Sequence, residues 1–334
     1  MAELQTEQRP MLECLDDALS FRNDNREVPR NRQYYEWRYG NRPCEIPAYV
    51  TWVKEHGRPI GAATVAPHDF LAHGKRVRLG IVGDISVSSA ARGKGVGSRL
   101  LAHVRQALPE GVDDVIVLPN EAATGALRHA GWTTVGHIRR YVRMLAPDMS
   151  SGLPGRLAMR FLAGWADLLQ AIQLPGRKKD YELSLVDNGT QSVDDLWQQL
   201  SGNSTVRSFR SGSYFRWRFR AHPSMVYEVA MLSDQDELCG YVVWHSADGD
   251  YWIDDYLTTA PRHEIPLMAR TVGLLRARSE CRSIQWRSLG TDSRAFSRLG
   301  FFVRRDTQPV MIGGRLGEVA NRAQWFITAG DKDV

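Results

Sequence analysis

Four landmarks recur in the same order in the two halves of this 334-residue chain. The first is an aromatic residue followed by Trp-Arg-aromatic. It reads Tyr34-Tyr35-Glu36-Trp37-Arg38-Tyr39 in one half and Tyr214-Phe215-Arg216-Trp217-Arg218-Phe219 in the other. Pro43 and Pro223 each stand six residues past the tryptophan. The second is a glycine in an apolar run, Gly61 within Pro59 to Val65 and Gly240 within Leu238 to Trp244. Gly83-Asp84-Ile85-Ser86-Val87 then matches Asp254-Asp255-Tyr256-Leu257-Thr258, and Ala130-Gly131-Trp132 matches Leu299-Gly300-Phe301. The offset drifts from 180 to 169 along the way. Chance supplies one such match; an ordered set of four implies two copies of one domain.

Within each copy the pattern predicts helix, hairpin, strand, helix, strand, helix, strand. In the first copy strands are expected at 50–54, 61–65, 78–88, 115–118 and 133–144, and helices at 97–108 and 122–129. The expected fold class is α/β: two tandem copies, each a mixed, mostly antiparallel sheet flanked by helices. Domains are expected at 1–148 and 181–334. The segment 149–180 between them is rich in Gly and Pro at both ends, as linkers are. Inside it, apolar residues at 158, 161, 162, 165, 168, 169 and 172 keep helical spacing. The helix expected over 157–174 either packs between the copies or lies on a membrane surface, with Arg156, Arg160 and Trp165 at the headgroups.

No run approaches the roughly 18 apolar residues of a membrane span. Met1 to Pro10 is polar and acidic, without the apolar stretch of a secretion signal, so a cytoplasmic location is expected. Cys14, Cys44, Cys239 and Cys281 form no CxxC pair, which speaks against a disulfide scaffold and against zinc. No metal is expected. A formal net charge of +5 suits an anionic ligand such as CoA, a sugar nucleotide or an acidic membrane surface. No basic run with interleaved aromatics points to nucleic acid.

The stretch that carries chemistry runs from Gly83 to Leu101. An apolar strand ends in Val87-Ser88-Ser89, and Arg92-Gly93-Lys94-Gly95-Val96-Gly97-Ser98 leads into a helix. Alternating glycines let successive backbone amides point into one concavity. The helix N-terminus adds partial positive charge, and the product is a pyrophosphate cradle with Arg92 and Lys94 beside it. A Walker loop needs Lys-Ser or Lys-Thr after its last glycine, and Ser98-Arg99 stands there instead. A dinucleotide fingerprint needs GxGxxG, and the spacing here is GxGxG.

The arrangement resembles the acyl-CoA loop of the GNAT superfamily of N-acyltransferases, Arg/Gln-x-x-Gly-x-Gly/Ala, matched by Arg92, Gly95 and Gly97. Val87 and Ser88 match the strand end that holds the pantetheine arm in that family. Asn120, Ala123 and Gly131-Trp132 match its downstream helix and strand. The resemblance covers roughly residues 30 to 145. It implies acetyl-CoA or another short acyl-CoA as co-substrate, held by Val87, Ser88, Arg92, Gly93, Lys94, Gly95, Val96, Gly97, Ser98 and Asn120. It also implies direct attack of an amine on the thioester, with the Val87 amide steadying the oxyanion. Asp84 is the expected general base or, failing that, a structural carboxylate. The family's usual tyrosine, seven residues past the asparagine, is Leu127 here, so either another group, such as Tyr141 or His129, protonates the sulfur or the thiolate leaves unaided. The second copy has Ala260-Pro261-Arg262-His263-Glu264-Ile265-Pro266 where the loop should be. Proline has no amide hydrogen, so that copy is expected to be degenerate and to shape the acceptor site.

The acceptor is expected to be a small amine. The two Trp-Arg-aromatic motifs and the ending Trp325 to Asp333 resemble tandem GNAT proteins of bacterial polysaccharide biosynthesis, which implies an amino sugar or sugar nucleotide. Trp37 and Trp217 either face such a ligand or hold the fold together. Two other readings stand beside this one: an acyl-CoA-binding regulator without turnover, and an acyltransferase for peptide or aminoacyl amines.

Overall fold

The structure, a computed structural model, describes residues 4–145, 164, 181–187, 189–200, 205–278, 280–291, 293–316 and 324–331. Apart from Gly164, the helix predicted over 157–174 lies outside the described residues.

The first half opens with β1 (Leu4–Pro10) and α1 (Leu15–Asn23). Then comes α2 (Arg32–Tyr35), whose N-terminus is capped by Asn31 Oδ1 accepting the Tyr34 amide at 2.8 Å. It widens into a π turn, Glu36–Gly40, closed by the Asn41 amide donating to the Glu36 carbonyl. The hairpin β2 (Tyr49–Glu55) and β3 (Arg58–Ala72) follows, then β4 (Lys75–Val87), α3 (Val96–Gln106), β5 (Asp114–Val117), α4 (Glu121–His129) and β6 (Thr133–Met144).

The second half repeats the order. After β7 (Tyr181–Leu185), α5 (Thr190–Gln199) and β8 (Val206–Ser208), α6 (Gly212–Phe215) is capped by Ser211 and runs into a second π turn, Arg216–Arg220. Next come β9 (Glu228–Asp234), β10 (Glu237–Ala247), β11 (Asp250–Thr258), α7 (Glu264–Arg278), β12 (Ser283–Leu289), α8 (Ser293–Arg298) and β13 (Phe302–Ile312). A further strand, β14 (Trp325–Thr328), and a 3-10 turn, Ala329–Asp331, end the described chain.

The halves exchange their last strands. The sheet runs β1-β2-β3-β4-β5-β13-β6-β12-β11-β10-β9-β7. Thus β13 of the second half pairs with β5 of the first, Met311 opposite Val117, while β6 pairs with β12, Met144 opposite Ser283. The division at 148 therefore separates the sequence but not the sheet. Strands β8 and β14 join β3 to β12, with Phe70 opposite Ser208, Trp325 opposite Val206 and Leu289 opposite Ile327. Hydrogen bonding so closes a circuit through β3, β4, β5, β13, β6, β12, β14 and β8.

A shared core fills that circuit, including Ile81, Ile116, Ile138, Val310 and Ile327 with both motif tryptophans. Trp37 and Trp217 are 3% and 5% exposed and stack on each other, with centroids 5.2 Å apart and planes 20° off parallel. They hold the two halves together; no face is left for a sugar. Separate apolar layers form under α3 and α4 in the first half and under α7 and α8 in the second.

Candidate active site

The parallel pair β4–β5 is in register only from Leu79 opposite Asp114 to Val82 opposite Val117. There β5 ends, and Asn120 turns the chain into α4, its Oδ1 accepting the Ala123 amide at 2.9 Å. β4 runs on to Val87 while paired only with β3. A wedge opens between the two strands, walled by Gly83 to Val87 and by Leu118 to Asn120. The Ser88 amide donates to the Ile60 carbonyl at 2.9 Å, toward β3. Successive peptide groups of a strand face opposite edges, so the Val87 amide faces the wedge.

The loop predicted to cradle phosphates sits at the mouth of this wedge. Gly93 and Gly95 have φ of +77° and +78°, and neither position has an atom within 4 Å of where a Cβ would stand. That backbone favours glycine. Gly95 is the N-cap of α3 and has no side chain to satisfy the first amides of the helix, so those of Val96, Gly97 and Ser98 have no partner within it. Arg92 and Lys94 are exposed beside them, and Arg92 Nε donates to the Val87 carbonyl at 3.3 Å. Val87, Ser88 and the loop thus lie at the end of β4, and Asn120 at the start of α4.

Asp84 is placed differently from a base. A bulge, Ala62 opposite Ser86 and Thr64 opposite Gly83, puts it at φ +48° with its side chain 9% exposed. Arg26 Nη2 lies 3.0 Å away, Arg22 Nη1 and Arg38 Nη1 each 3.7 Å, and the Tyr39 hydroxyl donates to it at 2.6 Å. Burial pushes its pKa up, but Arg38, Arg22, the tyrosine hydroxyl and Arg26 together hold it well below the ordinary carboxylate range. A carboxylate so stabilised in its ionised form is a poor proton acceptor. Its place is that of a fixed anion at the centre of an arginine cage. Leu127 is fully buried. Tyr141 is 2% exposed and packs on Trp286 in the second half's core, away from the wedge. His129 lies exposed at the end of α4 with Nδ1 2.8 Å from the Gly125 carbonyl.

In the second half the matching wedge, between β11 and β12, is occupied in part by β14, and a cavity of about 320 Å³ bordered by Tyr256, Pro261, Glu264, Gly290 and Phe326 remains at its end. Those strands are in register from Asp250 to Ile253; beyond that, β14 pairs with β12, Thr328 opposite Ser288. Thr328 Oγ1 donates to Asp255 Oδ1 at 3.1 Å. Arg210, wholly buried, joins Asp255 at 2.6 Å and Asp331 at 2.8 Å. β14 and the turn after it are thus tied to Asp255.

A cavity of about 210 Å³ is lined by residues from both halves, among them Ile138, Arg218, His245, Asp254, Arg287 and Gln308. Gln308 on β13 donates Nε2 to the carbonyls of Leu118 and Pro119, at 2.9 and 3.0 Å. These carbonyls end β5, so the cavity adjoins the wedge of the first half. Sequence reasoning missed this cavity because its residues come from seven separate segments.

Residues 11–132 match the model of the acetyltransferase (GNAT) family. No curated protein matches the chain. Among solved structures, a GCN5-related N-acetyltransferase from Anabaena variabilis aligns with a TM-score of 0.65 at 13% identity, covering 93% of this chain and 72% of the other. A protein of unknown function from Enterococcus faecalis, described as a probable N-acyltransferase, aligns with a TM-score of 0.65 at 12% identity, covering 94% and 74%. Saccharomyces cerevisiae N-myristoyltransferase with bound myristoyl-CoA aligns at 0.55 and 13% identity, covering 92% and 80%. At these identities the likeness is one of fold.

Proposed function

We propose that this chain, whose residues 11–132 form a GNAT-family acetyltransferase domain, transfers an acyl group from acyl-CoA to an amine. The observation that carries the reading is the contrast between two wedges of one topology. The first carries the glycine loop and the helix end of Arg92–Ser98; the second has β14 paired beside it and Pro261 in place of the loop. In the first, the Arg92, Lys94 and helix-α3 end would hold the pyrophosphate. Val87 and Ser88 would line the pantetheine arm, Asn120 would border it from the α4 side, and the Val87 amide would donate to the thioester oxygen as it becomes an oxyanion.

Acetyl or another short acyl group fits best. Arg38 stands directly behind the wedge, its Nη2 3.0 Å from where a Cβ on Gly83 would be. The acceptor is an amine on an amino sugar or sugar nucleotide, entering from the cavity side. The polar side chains that line that cavity, Arg287 and Gln308 among them, support this choice. Domains 1–148 and 181–334 would then divide the labour, acyl-CoA held by the first and the acceptor site closed by the second.

The test is calorimetric titration with CoA and acetyl-CoA, followed by thiol release over a panel of amines. Micromolar binding with turnover of amino sugars is expected; absence of CoA binding overturns the reading. Leu127 and the caged Asp84 favour one other outcome, binding without turnover by a regulatory protein. Tight acetyl-CoA binding with no thiol release from any amine would identify it.

A further inference from the structure

Gln308 holds one wall of this cavity against the end of β5, so whatever occupies the cavity sits beside the wedge. Across the hairpin β10–β11, His245 Nδ1 contacts Asp254 Oδ2. Asp254 occupies the bulge at which β11 gains a residue over β10, and bulges re-aim side chains out of the strand alternation. The two side chains are 12% and 10% exposed. A carboxylate only accepts, so the imidazole keeps its proton on Nδ1 and presents the Nε2 lone pair. This is the orientation of a histidine held by an acid to receive a proton.

The second feature is Arg287 on β12. Its guanidinium lies over the Trp252 ring at 5.5 Å, and among the described residues it joins no ion pair. The cavity's other cation, Arg218, is committed to the Gly330 carbonyl and the Tyr227 hydroxyl, at 3.1 and 3.0 Å. His222 is likewise engaged, its Nδ1 accepting the amides of Ser224 and Met225. A planar guanidinium on an aromatic face, without an anion of its own, suits a carboxylate or phosphate on the ligand.

We propose that this cavity is the acceptor subsite, that Arg287 anchors an anionic group of the acceptor, preferably the phosphate of an amino-sugar phosphate or sugar nucleotide, and that His245 is the proton acceptor for its amine. The inference rests on the acyl-CoA reading of the wedge. In the step, the acceptor ammonium gives one proton to His245 Nε2. The freed nitrogen pair forms the C–N bond as the carbonyl π pair moves to oxygen. Collapse of the tetrahedral adduct breaks the C–S bond, and the second nitrogen proton goes to the departing sulfur. The imidazolium then releases its proton to solvent. Asp254 is the positioning residue, and the charged groups around the ring are Asp254, Arg218 and Arg287, with His222 beyond Tyr227.

The test compares glucosamine with glucosamine 6-phosphate as acceptors of acetyl-CoA, measuring both binding and thiol release. The wild type should favour the phosphorylated amine at least tenfold in kcat/KM. Arg287→Ala should erase that preference through KM. His245→Gln should lower kcat on the order of 10²–10⁴-fold, remove a limb of the pH–rate profile and leave acetyl-CoA affinity unchanged. Equal use of the two amines, an unchanged rate in His245→Gln, or no binding of the phosphorylated amine to protein that binds acetyl-CoA would each overturn the proposal while leaving the acyl-CoA site standing. Failure to bind acetyl-CoA would instead overturn the reading beneath it. Circular dichroism and melting of each variant separate misfolding from loss of chemistry, and His245→Asn, which keeps a polar group there, serves as the second variant should His245→Gln not fold.

Discussion

Trp37 and Trp217 each donate the indole N–H to the other's backbone carbonyl, at 2.9 and 2.7 Å. The exchange is reciprocal, as a two-fold axis between equivalent residues requires, and it places that axis inside one chain. Arg218 lies over the Trp37 ring and Arg42 over the Trp217 ring, each at 5.8 Å.

Trp37→Phe and Trp217→Phe should each destabilise the protein by about 2–4 kcal/mol, because each loses buried ring area and leaves a buried carbonyl without its donor. The double variant should cost less than the sum, since both changes break one contact. Urea unfolding of the four proteins measures this. Single effects below about 0.5 kcal/mol would mean that the pair does not join the halves.

Asp84→Asn should cost about 3–5 kcal/mol, because it leaves the buried Arg22 and Arg38 guanidinium groups without their anion. The sign with pH follows from linkage. Folding lowers the pKa of Asp84 below its ordinary 3.8, so its stabilisation is complete above that value and fades as pH falls further. The variant's stability should therefore be flatter than the wild type's below about pH 4. Its folded fraction should keep the pH–rate profile of the wild type; loss of a limb would restore Asp84 as the base.

Gly95→Asp should abolish acyl-CoA binding. It adds a carboxylate at the phosphate end of the wedge and forces a side chain into φ +78°. Gly57→Asp is the control for backbone strain. Gly57 has φ +77° and equally open surroundings, but lies in the β2–β3 turn. Calorimetry with CoA should show loss in the first variant and wild-type affinity in the second.

Residues 1–148 expressed alone should not form a cooperative monomer, because β5 would lack β13 and β6 would lack β12. Co-expression with residues 181–334 should recover a one-to-one complex. A sharp calorimetric melt of 1–148 as a monomer would refute this.

Much of the architecture was legible because local spacing encodes it. The strand expected at 133–144 is Thr133–Met144, and the helix expected at 122–129 begins one residue earlier, at Glu121 behind its Asn120 cap. The glycine loop was legible for the same reason. Strand partners were not. β6 and β13 end two copies of one pattern, and alternation of side chains specifies a face, not a neighbour. Arg22 and Arg26 bear no spacing relation to Asp84, so its cage was hidden although Arg38 stood in a recognised motif. His245 left a usable signal. It lies in the first strand of a hairpin and Asp254 in the second, nine residues on, close enough for the turn Asp248–Gly249 to bring them together.

The exchanged strands also impose a schedule. β5 emerges from the ribosome about 190 residues before the strand that covers its edge. At about 5–20 residues per second, that edge stays unpaired for roughly 10–40 s. An open parallel strand pair is a template for the wrong neighbour, and two nascent chains on one message would present matching templates. Slow codons between the halves would lengthen the exposure, and a chaperone that shields apolar strands would shorten its effect. The yield of this protein in a cell should thus depend on the rate of its own translation, although the finished fold carries no mark of it.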